Sequence, residues 1–139
     1  MRPAVTLDAD SLHPMTAFAL HRLHTNPRLS KAVVFGPLVF LSGQTASGSP
    51  ATSFDEQMQE VLDRIEARLA DAGSDKQSLL SVTVYLRNMD DFAAMNAAWE
   101  RWIAPGTAPA RCTVEGRIAS PHLLIEISAI AATSAPIHP

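Results

Sequence analysis

Apolar residues recur along this chain at two periods, and each change from one period to the other marks a new element. Leu20 to Thr25 and Ser30 to Phe35 read as strands, and Leu38 to Ser42 follows across a Gly36-Pro37 turn to make a hairpin. Thr45 to Thr52 holds only small or polar residues, with Gly48 and Pro50 among them, which predicts a loop. The period then lengthens. Ser53-Phe54-Asp55-Glu56 has the form of a capping box, and Phe54, Met58, Val61, Leu62, Ile65 and Leu69 recur at helical spacing until Gly73. Leu79 to Arg87, with Val82, Thr83, Val84 and Tyr85, is a strand by its β-branched and aromatic content. Asn88 or Asp90 can cap a second helix, whose apolar stripe is Phe92, Met95, Trp99, Trp102 and Ile103 and which Pro105-Gly106 closes. Arg111 to Ile118 and Leu123 to Ala132, joined at Ser120-Pro121, complete the set as strands.

The order β-β-β-α-β-α-β-β predicts an α+β fold with two helices on one face of a mixed sheet. Ala32 to Phe35, Leu38 to Leu41 and Leu123 to Ala132 are nonetheless apolar at both parities, so both sheet faces are expected to be dry. No third layer is available in the sequence. Self-association is the economical way to cover the second face.

Length and charge narrow the function classes. The 139 residues fit one domain, 1–139, with an irregular lead to about residue 20 that carries Pro3 and Pro14 and a short tail from Ser134 to Pro139. Net charge is −3 and the eleven basic residues are scattered, so no footprint for nucleic acid or anionic lipid is visible. Lacking a leader-like apolar segment and any apolar run of the ~18 residues a membrane span needs, the chain reads as soluble and cytoplasmic. Cys112 is the single cysteine, and His13, His21, His24, His122 and His138 form no metal-ligand spacing, so no metal site is expected. Phosphate-loop, dinucleotide and serine-elbow motifs do not occur.

Two charges stand inside runs that otherwise read as buried strand. Arg111 opens Arg111-Cys112-Thr113-Val114-Glu115, and Glu126 interrupts Leu123 to Ala132. The arginine fits a carboxylate or phosphate, or an ordinary ion pair at a rim. The glutamate can hold a water and move a proton, or can form a structural salt bridge, with Arg111 as one partner. Asn96 falls on or beside the apolar stripe of the second helix, where its amide needs partners: a ligand, or the loop after Ser42. Ser42-Gly43-Gln44 brings a glycine to a strand end, for a turn or for close approach to a ligand. Cys112 has no local histidine to activate it and is not read as a nucleophile.

Taken in order, Leu38-Val39-Phe40-Leu41-Ser42-Gly43-Gln44, Asp91 to Trp99, Pro109 to Glu115 and Ile125-Glu126-Ile127 resemble the Rid family, also called the YjgF or reactive-intermediate deaminase family, over roughly residues 28 to 132. The resemblance implies a chorismate-mutase-like fold, a homotrimer with ligand sites in the clefts between subunits, and hydrolysis of 2-imino acids or their enamine tautomers to 2-keto acids and ammonia. It implies no metal or organic cofactor. By the same resemblance Arg111 clamps the substrate carboxylate, Glu126 holds the water, Asn96, Ser42 and Gly43 line the pocket, and Thr113 offers its backbone N–H. Cys112, beside the arginine, and Leu29, standing where a tyrosine hydroxyl usually lines the pocket, complete the substrate-binding set that the resemblance implies. Thr113 occupies a position where many members carry cysteine, so no thiol function carries over. A shorter loop after Gln44 suggests a separate branch. The alternative is a non-catalytic trimer that binds small carboxylates through the same arginine; a ribonuclease or translation inhibitor is a third reading, which the acidic charge opposes.

Overall fold

The computed structural model describes residues 18–134. Most of the expected lead, and the tail beyond Ser134, lie outside them. Six strands and two helices follow in the predicted order: β1 (Leu20–Thr25), β2 (Ser30–Phe35), β3 (Leu38–Gln44), α1 (Phe54–Asp71), β4 (Leu79–Leu86), α2 (Phe92–Trp102), β5 (Ala110–Glu115) and β6 (Ile125–Ala132). Short 3-10 turns, Lys76–Ser78 and Met89–Asp91, lead into β4 and α2. Among the described residues no helix is long and apolar enough to cross a membrane.

The sheet runs β1-β2-β3-β6-β4-β5. β4 and β5 pair in parallel and every other pair is antiparallel, so β3, β4 and β5 all point the same way. Both helices therefore sit in crossovers between parallel strands, β3-α1-β4 and β4-α2-β5, and both crossovers move across the sheet in one direction. Right-handed connections taken in one direction put their helices on the same face. This is why the two helices pack side by side, and among the described residues no helix lies on the other side.

Helix α1 is bounded by its own chemistry. Ser53 Oγ accepts from the Glu56 N–H at 3.2 Å and donates to the Glu56 carboxylate at 2.8 Å. At its far end Gly73, at φ 76°, donates to Ala70 O while Ser74 donates to Leu69 O, the two bonds of a Schellman ending. Between them Met58, Val61, Leu62, Ile65 and Leu69 are buried against Val39, Leu41, Val82, Val84, Ile127 and Ala129. Met95 and Trp99 of α2 extend that core. Phe92 differs from expectation: as the first residue of α2 it stays exposed, the sheet-facing stripe starting one turn later at Met95.

The last two strands are shorter than predicted. β5 stops at Glu115, where Gly116 donates back to Leu86 O, and the chain leaves the sheet until Ile125. Two side chains hold that excursion: Arg87 donates to the carbonyls of Ile118, Ser120 and Leu123, and Gln57 bridges His122 O and the Leu124 N–H.

The face without helices divides in two. Its β1–β3 side, with Ile130, carries Leu20, Val33, Phe35, Leu38 and Phe40, of which Leu20, Phe35 and Phe40 are exposed. Towards β4 and β5 the same face turns to Ser81, Thr83, Tyr85, Ser128, Glu126 and Cys112.

Candidate functional site

Strand parity decides where the two anomalous charges go. Arg111 is paired with buried Val82, so its side chain rises on the helix face. Glu126 lies between buried Ile125 and Ile127 and opposite Tyr85, so it points to the face without helices. The two are on opposite sides of one sheet, and the salt bridge between them that the sequence left open does not form.

Arg111 is held by α2. Its Nη2 donates to Asn96 Oδ1 at 2.7 Å, Nη1 lies 3.5 Å from Met95 Sδ, and the guanidinium stacks over Trp99 with its carbon 5.5 Å from the ring centroid. Stacking and one amide acceptor fix the plane of the group without neutralising it. Among the described residues no carboxylate pairs with it. The remaining N–H groups keep the forked geometry that suits a carboxylate. Asn96 thus serves Arg111 rather than the loop after Ser42; that loop is held by Arg64, whose Nη1 donates to Thr45 O and Ser47 O.

Glu126 rests on Gly43. The register of β3 against β6 slips between Leu41 and Gln44, and this bulge turns Gly43 against the glutamate. A Cβ built on Gly43 would lie 2.7 Å from Glu126 Cδ and 3.0 Å from its Oε2, so any larger residue here must push the glutamate side chain aside. Gln44 is buried, and its amide nitrogen donates to Ser42 O, which fixes the bulge. Among the described residues Glu126 enters no ion pair.

Gly43 also lines a cavity of about 690 Å³ between the β1–β2 turn, the end of β3 and α1. Leu29 and Ser42 line it too. The predicted residues therefore form two groups. Arg111, Asn96 and Thr113 gather on the helix face beside α2, the Thr113 hydroxyl buried without a hydrogen-bond partner. Gly43, Ser42 and Leu29 line the cavity, and Glu126 lies against Gly43 from the helix-free face without lining it. Cys112 joins neither group: it is exposed on the face opposite Arg111, with its sulfur 3.7 Å from Thr83 Oγ1. Trp99 was legible only as a core aromatic, because a stacking partner twelve residues downstream leaves no local signal.

Comparison with known proteins agrees with this architecture. A family model described as Endoribonuclease L-PSP matches residues 19–133. A RutC family protein of Haemophilus ducreyi is 36% identical over 111 residues, covering 80% of this chain and 94% of that one. The RutC family protein YoaB of Escherichia coli is 37% identical over 111 residues, covering 80% and 96%. Among solved structures, a member of the YjgF protein family from Neisseria meningitidis superposes with a TM-score of 0.82 at 39% identity, covering 86% of this chain and 98% of that one.

Proposed function

The chain belongs to the endoribonuclease L-PSP family of RutC- and YjgF-like proteins, and on that premise we propose that it hydrolyses 2-imino acids to 2-keto acids and ammonia in the cytoplasm. The observation that carries this reading is Arg111, a guanidinium oriented by Asn96 and Trp99 with no carboxylate of its own among the described residues. Its natural complement is a ligand carboxylate. Glu126, pressed on Gly43, supplies the acid–base group. Water attacks C2 as Glu126 takes its proton and the C=N electrons move to nitrogen; Glu126 passes that proton to the nitrogen to give the carbinolamine, then takes the hydroxyl proton and delivers it to the amino group as the C–N bond breaks, so that ammonia leaves and the carbonyl forms.

Because Arg111 and Glu126 occupy opposite faces of one sheet, they can meet on one substrate only when two copies contribute. The apolar side of the sheet that no described helix covers, with Leu20, Phe35 and Phe40 exposed, favours such an assembly, and a homotrimer is part of the proposal. The same separation favours the alternative, a carboxylate binder: on one chain the clamp stands on the opposite face from the water-holding glutamate. RNA cleavage, which the family description names, has less support. Net charge is −3, and Trp99 is buried under Arg111 rather than offered to a base.

The test generates 2-imino acids with an amino-acid oxidase beside an amine trap and follows their diversion to keto acid. Wild type is expected to divert them, and Arg111→Ala to lose the effect. Glu126→Ala should abolish turnover while keeping affinity for small keto acids. Equal behaviour of wild type and Arg111→Ala across several imino acids would remove the deaminase reading, and retained binding without any turnover in wild type would leave the binder.

A further inference from the structure

Glu126 stands where β6 is paired on one side only. The β3–β6 register ends at Gln44 opposite Ile127, whereas on the β4 side the pairing continues through Tyr85 opposite Glu126 to Leu86 opposite Ile125. The open end of a half-paired strand frays unless something beyond the ladder holds it. Gln57 supplies that hold. It lies three residues after Phe54 and four before Val61, on the stripe of α1 that otherwise carries apolar side chains, and at 1% exposure it is the deepest of the buried polar residues described. Burying an amide is costly unless both its ends are paired. Here they are: Oε1 accepts from the Leu124 N–H at 2.8 Å and Nε2 donates to His122 O at 2.9 Å. Leu124 O in turn accepts from the Arg87 N–H at 3.1 Å, so both backbone groups of Leu124 are engaged two residues before Glu126.

An apolar side chain at position 57 would fill the same space under α1 without fixing the backbone of β6. The amide does both. Gln44, also buried, fixes the Gly43 bulge against which the Glu126 carboxyl rests. Two buried amides therefore bracket one carboxylate, the first through the bulge beside it and the second through the strand that delivers it. We infer that Gln57 is a positioning residue for Glu126: its amide, rather than its volume, sets where the carboxylate stands for the reaction. This rests on the deaminase reading for the chemistry that Glu126 performs, while the hold on β6 stands apart from that reading. Arg111 lies on the opposite face and takes its orientation from Asn96 and Trp99, so carboxylate binding does not pass through Gln57.

Gln57→Met keeps the length of the side chain and loses both hydrogen bonds. Its kcat for imine diversion is expected to fall by about ten- to a hundredfold, the cost of misplacing a reacting group by up to about an ångström, while calorimetric affinity for 2-oxobutyrate stays at the wild-type value. Ile65→Val, a loss of buried volume further along α1, should keep both. Equal loss of turnover in the two variants, parallel loss of affinity and turnover, or wild-type kcat in Gln57→Met overturns the inference. Gln57→Asn, whose amide is one methylene short of Leu124, carries the same expectation if Gln57→Met does not fold by circular dichroism; failure of both to fold assigns the amide to stability alone and also overturns it. Amide hydrogen exchange read by NMR separates the hold on β6 from the reaction. Protection should drop at Leu124 to Ile127 in Gln57→Met while β2 and α2 stay protected, and a loss spread evenly over the chain removes the positioning role. Imines untouched by wild type together with that local loss would remove the deaminase reading and leave the hold of Gln57 in place; turnover by wild type that Gln57→Met retains does the reverse.

Discussion

Gly43 is crowded by a neighbour rather than constrained by its own backbone, since its φ is not among the positive ones and the close atom is the Glu126 carboxyl at 2.7 Å from an added Cβ. Gly43→Ala must therefore move Glu126 and not the fold. Displacement of a reacting group by about an ångström costs about 10²-fold in rate, so the variant should lose that much turnover while melting within a few degrees of wild type. Kinetics beside a thermal melt checks both halves, and a large loss of Tm with unchanged turnover would contradict the contact's proposed role. At this scale the site was partly legible. Arg111 and Glu126 stood out because charges in apolar strands need a reason. Their separation onto opposite faces was not visible, since it depends on how β4 is registered against both β5 and β6.

Among the elements, α2 begins under electrostatic tension. Asp91 directly precedes the helix, yet its side chain makes no capping hydrogen bond. Burial, then Asp90, then Asp55 push its carboxyl above the ordinary value. A carboxyl raised in the fold binds more protons folded than unfolded, so its contribution favours folding at acid pH and is lost as pH rises through the range above about 4. Asp91→Asn should accordingly be more stable than wild type at pH 7 and equal to it near pH 3, as measured by denaturant unfolding at the two pH values; a gain of the same size at both would assign the effect to something other than charge. Element order and type were readable throughout, because periods of 2 and 3.6 and the Ser53 and Gly73 signals are local. Strand ends were not. β5 and β6 lost residues to a connection held by Arg87 and Gln57, two long-range clamps with no local signature.

On the scale of the whole molecule, both helices lie on one side because both crossovers run the same way, and the other side presents Leu20, Phe35 and Phe40 to solvent. If that side is where copies meet, Phe40→Asp should give a monomer by analytical ultracentrifugation, with helix content unchanged by circular dichroism and imine diversion abolished although Arg111 and Glu126 are intact. An oligomer that survives this change with full activity would place the contact elsewhere. The position of β6 has a different consequence, for how the chain reaches this state. It is the last of the described strands to be synthesised, yet it occupies the interior of the sheet between β3 and β4. Until it arrives, β1-β2-β3 and β4-β5 share no backbone hydrogen bond, and each half exposes an open edge where β6 will go. During vectorial synthesis the amino-terminal half must wait with that edge unprotected, which makes the nascent chain, rather than the finished protein, the form most exposed to mispairing and most in need of a chaperone.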